Sequence, residues 1–205
     1  MLKLFLSSSF KDVAPSLATF AAEPLEGKKI TFIPTASIPE KVKFYVKSAK
    51  KALENLGLIV DELELSTAMQ EEMEYKIREN DYIYISGGNT FYLLQELKRS
   101  GADVIIREEV QAGKMFIGES AGSMILTPSI EYARLMDHVQ EGPALDTFAA
   151  LGVIDFYPVP HHTNIPFIRA VENIIEEYGS RLNLYPISNA EVILVQEDNI
   201  RIEKV

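Results

Sequence analysis

The chain has 205 residues, of which 47% are hydrophobic and 24% charged, which is the composition of an ordinary globular protein. Its 30 acidic and 20 basic side chains leave a formal net charge of -10, which disfavours nucleic acid and anionic membranes as partners. The absence of cysteine excludes disulfides, thiolate nucleophiles and cysteine metal sites. With only three histidines available, we expect no metal and no cofactor.

Short apolar runs alternate with amphipathic stretches along the chain. Strands are predicted at residues 3–6, 29–34, 58–63, 82–86, 114–118, 156–159, 192–196 and 200–203. Helices are predicted at residues 38–56, 67–80, 91–99 and 102–112, with another after Ser120, while the residues after the first strand are interpreted as a loop. Apolar strands separated by helices indicate a doubly wound, mostly parallel α/β sheet with helices on both faces.

No repeat or linker interrupts this pattern, so we expect a single domain over residues 1–205. The N-terminal apolar run, M-L-K-L-F-L, is too short for a signal peptide or a membrane span. The sequence therefore predicts a cytoplasmic protein.

Two loops that follow predicted strands carry the residues of interest, because ligands of such sheets bind beyond the carboxyl ends of the strands. One is Gly87-Gly88-Asn89-Thr90. The other is Gly118-Glu119-Ser120-Ala121-Gly122, a G-x-S-x-G pattern between a strand and a helix. This is the context of a nucleophile elbow, in which the turn exposes the serine hydroxyl and the amide of Ala121 can bind an oxyanion. The alternative interpretation is that Ser120 only caps the helix.

A nucleophilic serine also needs a base and further oxyanion donors. Gly87-Gly88 can supply backbone amides if its strand neighbours the serine strand. A phosphate-binding turn is disfavoured because no Walker or dinucleotide motif is present, whereas a plain tight turn would explain the two glycines equally well. The base must be one of three histidines. His138 lies in a predicted loop, whereas His161 and the adjacent His162 follow a predicted strand, and position slightly favours His161.

Three ordered motifs resemble the peptidase E family of serine peptidases, which includes aspartyl dipeptidase and, more distantly, cyanophycinase. They are S-G-G-N-T-F-Y-L-L (residues 86–94), G-E-S-A-G-S (118–123) and P-H-H-T-N (160–164), and the opening L-F-L-S-S-S also looks like the family's first strand. The resemblance implies a fold like that of class I glutamine amidotransferases, with serine in place of the nucleophilic cysteine.

The resemblance also implies roles for individual residues. Ser120 would be the nucleophile, His161 the general base, and the amides of Gly88 and Ala121 the oxyanion hole. The third catalytic member would be Asp137 or, as second choice, Glu191. The expected substrates are dipeptides or small peptides, with acidic N-terminal residues among the preferences the family suggests.

Glu119 departs from the family, whose members carry tryptophan or threonine before the nucleophile. With Asn89 it is a candidate substrate-binding residue, and its carboxylate could repel an acidic substrate residue. Two other functions stay open. One is an esterase or amidase of the α/β-hydrolase kind, although such enzymes place their histidine near the C-terminus. The other is a non-catalytic ligand-binding or regulatory protein of the same fold.

Overall fold

The computed structural model describes residues 1–205. Its strands are β1 (Lys3–Ser7), β2 (Lys29–Ile33), β3 (Ile59–Glu62), β4 (Tyr82–Ile85), β5 (Met115–Glu119), β6 (Tyr157–Val159), β7 (Leu184–Pro186), β8 (Glu191–Gln196) and β9 (Asn199–Lys204). Its helices are α1 (Phe10–Val13), α2 (Pro15–Ala21), α3 (Phe44–Asn55), α4 (Gln70–Glu79), α5 (Thr90–Ser100), α6 (Ala102–Gln111), α7 (Ala121–Met124) and α8 (Ile168–Tyr178). Short 3-10 turns lie at Thr35–Ser37, Glu131–Leu135 and Val139–Glu141.

One seven-stranded sheet organises the molecule, in the order β3-β2-β4-β5-β1-β8-β9. The five strands from β3 to β1 are mutually parallel, whereas β8 and β9 are antiparallel to their neighbours. β6 and β7 form a separate parallel pair. The predicted α/β class with a mostly parallel sheet is confirmed, and the pairing of β4 with β5 brings the two glycine-containing loops to the same edge of the sheet.

Helices cover both faces of the sheet because successive side chains of each strand point to opposite sides. In β1, Leu4 and Leu6 join a core with residues of α4, α5, α6 and α8, while Phe5 joins a second core with residues of α1, α2 and α3. All three side chains are fully buried. None of the helices combines the length and the apolar composition needed to cross a bilayer.

The predicted helix at residues 38–56 begins later than expected. Pro39 lacks an amide hydrogen, and the chain around it forms a turn in which the Glu40 amide donates to the Ser37 carbonyl oxygen. The helix then starts at Phe44. The loop predicted after β1 is also wrong, because α1 begins at Phe10, where a fully buried aromatic side chain anchors it to the sheet.

Candidate active site

Ser120 lies at the abrupt junction between β5 and α7. Its backbone angles, φ 49° and ψ -109°, fall in a region that residues with a Cβ atom rarely adopt. The Ser120 amide donates to the Ser7 carbonyl oxygen of the neighbouring strand at 2.8 Å, which holds the turn against the sheet. The side chain makes no capping hydrogen bond to α7, so the hydroxyl is not used as a helix cap.

The two glycines of the pattern let α7 pack closely, against β5 at Gly118 and against β4 at Gly122. A Cβ atom on Gly118 would lie 2.7 Å from the Gly122 carbonyl oxygen, and one on Gly122 would lie 2.1 Å from the Ile85 carbonyl oxygen. Both distances are far below van der Waals contact. The sharp turn at Ser120 therefore depends on the absence of side chains on both sides of it.

The Gly87-Gly88 turn lies directly beside the serine. A Cβ atom on Gly87 would come within 3.2 Å of the Ser120 Cβ atom. Gly88 has φ 136°, and a Cβ atom there would lie 2.1 Å from the Ala36 carbonyl oxygen, so only glycine fits. The amides of Gly88 and Ala121 donate to no other group of the protein and are free to bind a substrate oxygen.

His161 faces Ser120 from the loop after β6. Its Nε2 atom lies 3.0 Å from the Ser120 Oγ atom, and its ring stacks on Phe167 with a centroid distance of 4.5 Å. The His161 backbone has φ 65°, and its amide donates to the Ser8 Oγ atom at 3.0 Å. Burial lowers the pKa of the imidazole below its usual 6.5, which keeps the ring neutral and able to accept a proton at neutral pH.

The other two histidines do not take part. The amide of His162 donates to the Ile187 carbonyl oxygen, and its side chain makes no hydrogen bond to the protein. His138 is exposed, and only its carbonyl oxygen is engaged, by the Asn89 side chain.

The side chain that orients His161 is Asn189, which the sequence analysis missed. Its Oδ1 atom lies 2.9 Å from the His161 Nδ1 atom. Because an amide oxygen can only accept, Nδ1 carries the ring proton and Nε2 is left to accept from the serine hydroxyl. The backbone amide of Asn189 donates to the Asn164 Oδ1 atom at 2.8 Å. Asn164, the last residue of P-H-H-T-N, therefore holds Asn189 in place.

Both carboxylates proposed for that position lie elsewhere, and the expectation is corrected. Asp137 accepts two hydrogen bonds through Oδ2, from the amide and the hydroxyl of Thr90, and burial raises its pKa to about 6. Glu191 accepts from the Ser188 amide at 2.7 Å, a contact that lowers the pKa of its carboxyl group. Glu191 thus supports the turn that carries Asn189, and neither acid contacts the histidine.

The two candidate substrate-binding side chains are also occupied within the protein. Glu119 is 3% exposed; its carboxylate accepts from the Phe10 amide and the Tyr84 hydroxyl, and burial raises its pKa. Asn89 caps α5, accepting from two amides of its first turn, and donates to the His138 carbonyl oxygen. Glu119 therefore lies beneath the site rather than in it, and a repulsive contact with substrate is not what this geometry offers.

Ser8, the middle serine of L-F-L-S-S-S, is a further functional residue that no sequence pattern singles out. Its hydroxyl accepts from the His161 amide and donates to the Ile187 carbonyl oxygen, joining the end of β1 to the histidine loop. For Asn189 no signal was available beyond a short polar turn between two strands.

The fold and the site together place the chain among proteins of known class. The family model for Peptidase family S51 matches residues 4–203. The chain is 50% identical over 196 residues to the uncharacterized peptidase Lmo0363 of Listeria monocytogenes, covering 96% of this chain and 95% of that protein. It is 36% identical over 165 residues to peptidase E of Shewanella denitrificans, covering 78% of this chain and 67% of that protein.

A solved structure gives the same answer. The crystal structure of a protein from Listeria monocytogenes assigned to peptidase E superposes with a TM-score of 0.96 at 48% identity, covering 100% of this chain and 99% of that one. The fold is the class I glutamine amidotransferase-like α/β fold. The chain belongs to peptidase family S51 and is a serine-type peptidase.

Proposed function

We propose that this peptidase hydrolyses dipeptides or other small peptides through an acyl-enzyme formed on Ser120. The observation that carries the proposal is the 3.0 Å contact between Ser120 Oγ and His161 Nε2, with the opposite ring nitrogen held by Asn189. That tautomer is the one a general base requires.

The proposed reaction follows from these positions. Ser120 Oγ attacks the peptide carbonyl carbon as His161 Nε2 takes its proton, and the negative charge on the carbonyl oxygen is stabilised by the amides of Gly88 and Ala121. The C–N bond then breaks, and the leaving amine takes the proton from His161. Water, activated by the same imidazole, hydrolyses the ester and regenerates the serine.

Asn189 would support this cycle by orientation. It fixes the plane and the tautomer of the ring, as a carboxylate does in other triads, but brings no negative charge. An imidazolium formed during the reaction is therefore stabilised by a dipole only. The hydrogen bond to Asn189 raises the pKa of His161, but burial lowers it by more.

The proposal also concerns which N-terminal residue of the substrate the enzyme prefers. An acidic preference, which the resemblance implies, requires a cation close to Ser120. The charged groups that act on the pKa of the neighbouring Tyr45 are the carboxylates of Glu40, Glu119 and Asp137, with no cation among them. Glu119 is buried and paired within the protein, which leaves Glu40 and Asp137 as the charges that would act on a substrate. This favours neutral or basic N-terminal residues over acidic ones.

The proposal is tested with a dipeptide panel whose N-terminal residues are acidic, neutral and basic. We expect the wild type to cleave members of the panel and Ser120→Ala to lose activity by about 10⁶-fold. A fluorophosphonate probe should label the wild type and Ser180→Ala, a control at an exposed serine, but not Ser120→Ala. Labelling without cleavage of any dipeptide would contradict dipeptides as substrates, and an unlabelled wild type would contradict the mechanism.

A further inference from the structure

Tyr45, in the first turn of α3, carries an unexplained hydroxyl group. Its Oη atom is buried and has no hydrogen-bond partner. Every other buried side-chain oxygen or nitrogen of the protein has one. Burying a polar group without a hydrogen-bond partner destabilises the folded protein. A buried hydroxyl that the fold leaves unpaired is therefore a candidate for pairing with a ligand.

The position of the ring places this hydroxyl at the active site. A Cβ atom on Gly87 would lie 3.7 Å from the Tyr45 Cε2 atom and 3.2 Å from the Ser120 Cβ atom. The tyrosine ring and the nucleophile therefore flank the same glycine. Cε2 is bonded to the carbon that carries the hydroxyl, so Oη lies on the side of the ring that meets this turn.

The surroundings of Tyr45 are negatively charged. Burial and the carboxylates of Glu40, Glu119 and Asp137 all raise the pKa of its hydroxyl, which stays protonated and neutral. The Glu119 carboxylate is occupied by Phe10 and Tyr84, whereas the Asp137 Oδ1 atom accepts no hydrogen bond from the protein. A neutral acceptor in a negative field suits a cationic group.

We propose that the Tyr45 Oη atom accepts a hydrogen bond from the free α-ammonium group of the substrate's N-terminal residue, with Glu40 and Asp137 supplying the favourable field. The inference rests on the proposed dipeptidase function. In a peptide cleaved after its first residue, the α-amino nitrogen is two bonds from the carbonyl carbon that Ser120 attacks. The group that binds this ammonium must lie next to the nucleophile, as Tyr45 does.

Such a contact would make the enzyme select peptides with an unblocked N-terminus. A hydrogen bond to a charged group typically contributes about tenfold to 100-fold to a binding constant. Tyr45→Phe keeps the ring and removes only the hydroxyl. We therefore expect kcat/KM for a free dipeptide to fall at least about tenfold, mainly through KM.

The experiment compares that loss with fluorophosphonate labelling of Ser120, because the probe has no amino group. In Tyr45→Phe the labelling rate should change far less than dipeptide hydrolysis. Tyr75→Phe, at an exposed tyrosine of α4, is the matched control and should alter neither readout. The N-acetylated dipeptide should have a lower kcat/KM than the free dipeptide in the wild type. This difference between the two substrates should be smaller in Tyr45→Phe.

The outcomes separate the two proposals. Equal losses of hydrolysis and labelling in Tyr45→Phe would assign the tyrosine a structural role and overturn the inference. Unchanged hydrolysis, or equal rates on free and acetylated dipeptides, would overturn it too while leaving the peptidase mechanism intact. A wild type that the probe does not label would refute the mechanism itself, and the inference with it.

Discussion

The two halves of the candidate site are built in different ways. The nucleophile turn, residues 118–122, is made by consecutive residues at the end of a buried strand, and its glycines set the approach of strand and helix. The histidine loop, residues 160–164, is held by partners far away in the chain: Ser8 binds the backbone of His161 and Asn189 binds its ring. A local pattern defines the first half, whereas tertiary contacts assemble the second.

Both halves nevertheless hold a residue in unfavourable backbone geometry. Ser120 has φ 49° and His161 has φ 65°, and neither is glycine. Such conformations persist only where the surroundings impose them, at about 1–3 kcal/mol each. The contrast predicts that the turn is broken most easily by steric change and the histidine loop by removal of a hydrogen bond.

The largest expected effect is that of Gly122→Ala. The new methyl group would meet the Ile85 carbonyl oxygen at 2.1 Å, and backbone on both sides leaves little room to relax. We expect a loss of about 3 kcal/mol or more in the free energy of unfolding, together with loss of activity, measured by urea denaturation and dipeptide hydrolysis.

Gly152→Ala is the comparison for this substitution. Gly152 has φ 61°, but a Cβ atom there would meet nothing within 4 Å, so its expected cost of roughly 1 kcal/mol is a backbone penalty without a clash. Gly122 has no positive φ, so its expected cost comes from the clash alone. Equal destabilisation by the two substitutions would show that close approach is not what the turn needs.

Substitution of Asn189 probes the histidine loop. Asn189→Ala leaves the imidazole without its orienting acceptor, and we expect kcat to fall about 100-fold with little change in stability. The lost hydrogen bond had raised the pKa of His161 against the effect of burial, so the pKa should fall further. Since catalysis needs the neutral ring, the acid limb of the pH–rate profile should move to lower pH.

Asn189→Asp should move the same limb in the opposite direction. A carboxylate at this position stabilises the imidazolium and raises the pKa of His161, so the ring becomes protonated at higher pH. The limb should then rise in pH while the rate on the plateau stays comparable to or above that of the wild type. A limb that shifts the same way in both variants would contradict the assignment of Asn189.

The sequence alone predicted most of the sheet and the half of the site that is local. Apolar runs bounded by glycine and proline located the strands, and G-x-S-x-G located the turn, because its geometry depends on residues adjacent in the chain. The helix at Phe10 was missed because four residues carry no periodicity. The later start of α3 was missed because the apolar spacing does not reveal the turn around Pro39 that precedes it.

Charged residues were misjudged because sequence does not reveal which way a side chain points. Glu119 is the last residue of β5, all of whose residues are buried, and its carboxylate turns into the core, where two donors bind it. Asp137 lies in the expected part of the chain but binds Thr90, and a neutral asparagine, 28 positions from His161, takes the place beside the ring. No periodicity or motif encodes such a pairing; it depends on how the loops pack.

A smaller effect on the free energy of unfolding, a stabilisation, is expected from Ser120→Gly relative to Ser120→Ala. Glycine tolerates the backbone angles of residue 120, whereas Ser120→Ala keeps the strain. Both variants lose the proposed nucleophile, but Ser120→Gly should be more stable than Ser120→Ala by about 1–2 kcal/mol in urea denaturation. Equal stability would mean that the turn stores no strain at this residue.

The smallest effect is expected from Ser8→Ala, which weakens the link between the two halves. The variant removes the hydrogen bond from the His161 amide and the one to the Ile187 carbonyl oxygen, but leaves the contact of His161 with Ser120 and Asn189 in place. We expect about 1 kcal/mol of destabilisation and a severalfold lower kcat with unchanged KM. Ser9→Ala is the control, since the adjacent hydroxyl makes no hydrogen bond to the protein. If Ser8→Ala matched Ser9→Ala in both measurements, the histidine loop would hold its shape through Asn189 and Phe167 alone, and the first strand would serve only the nucleophile.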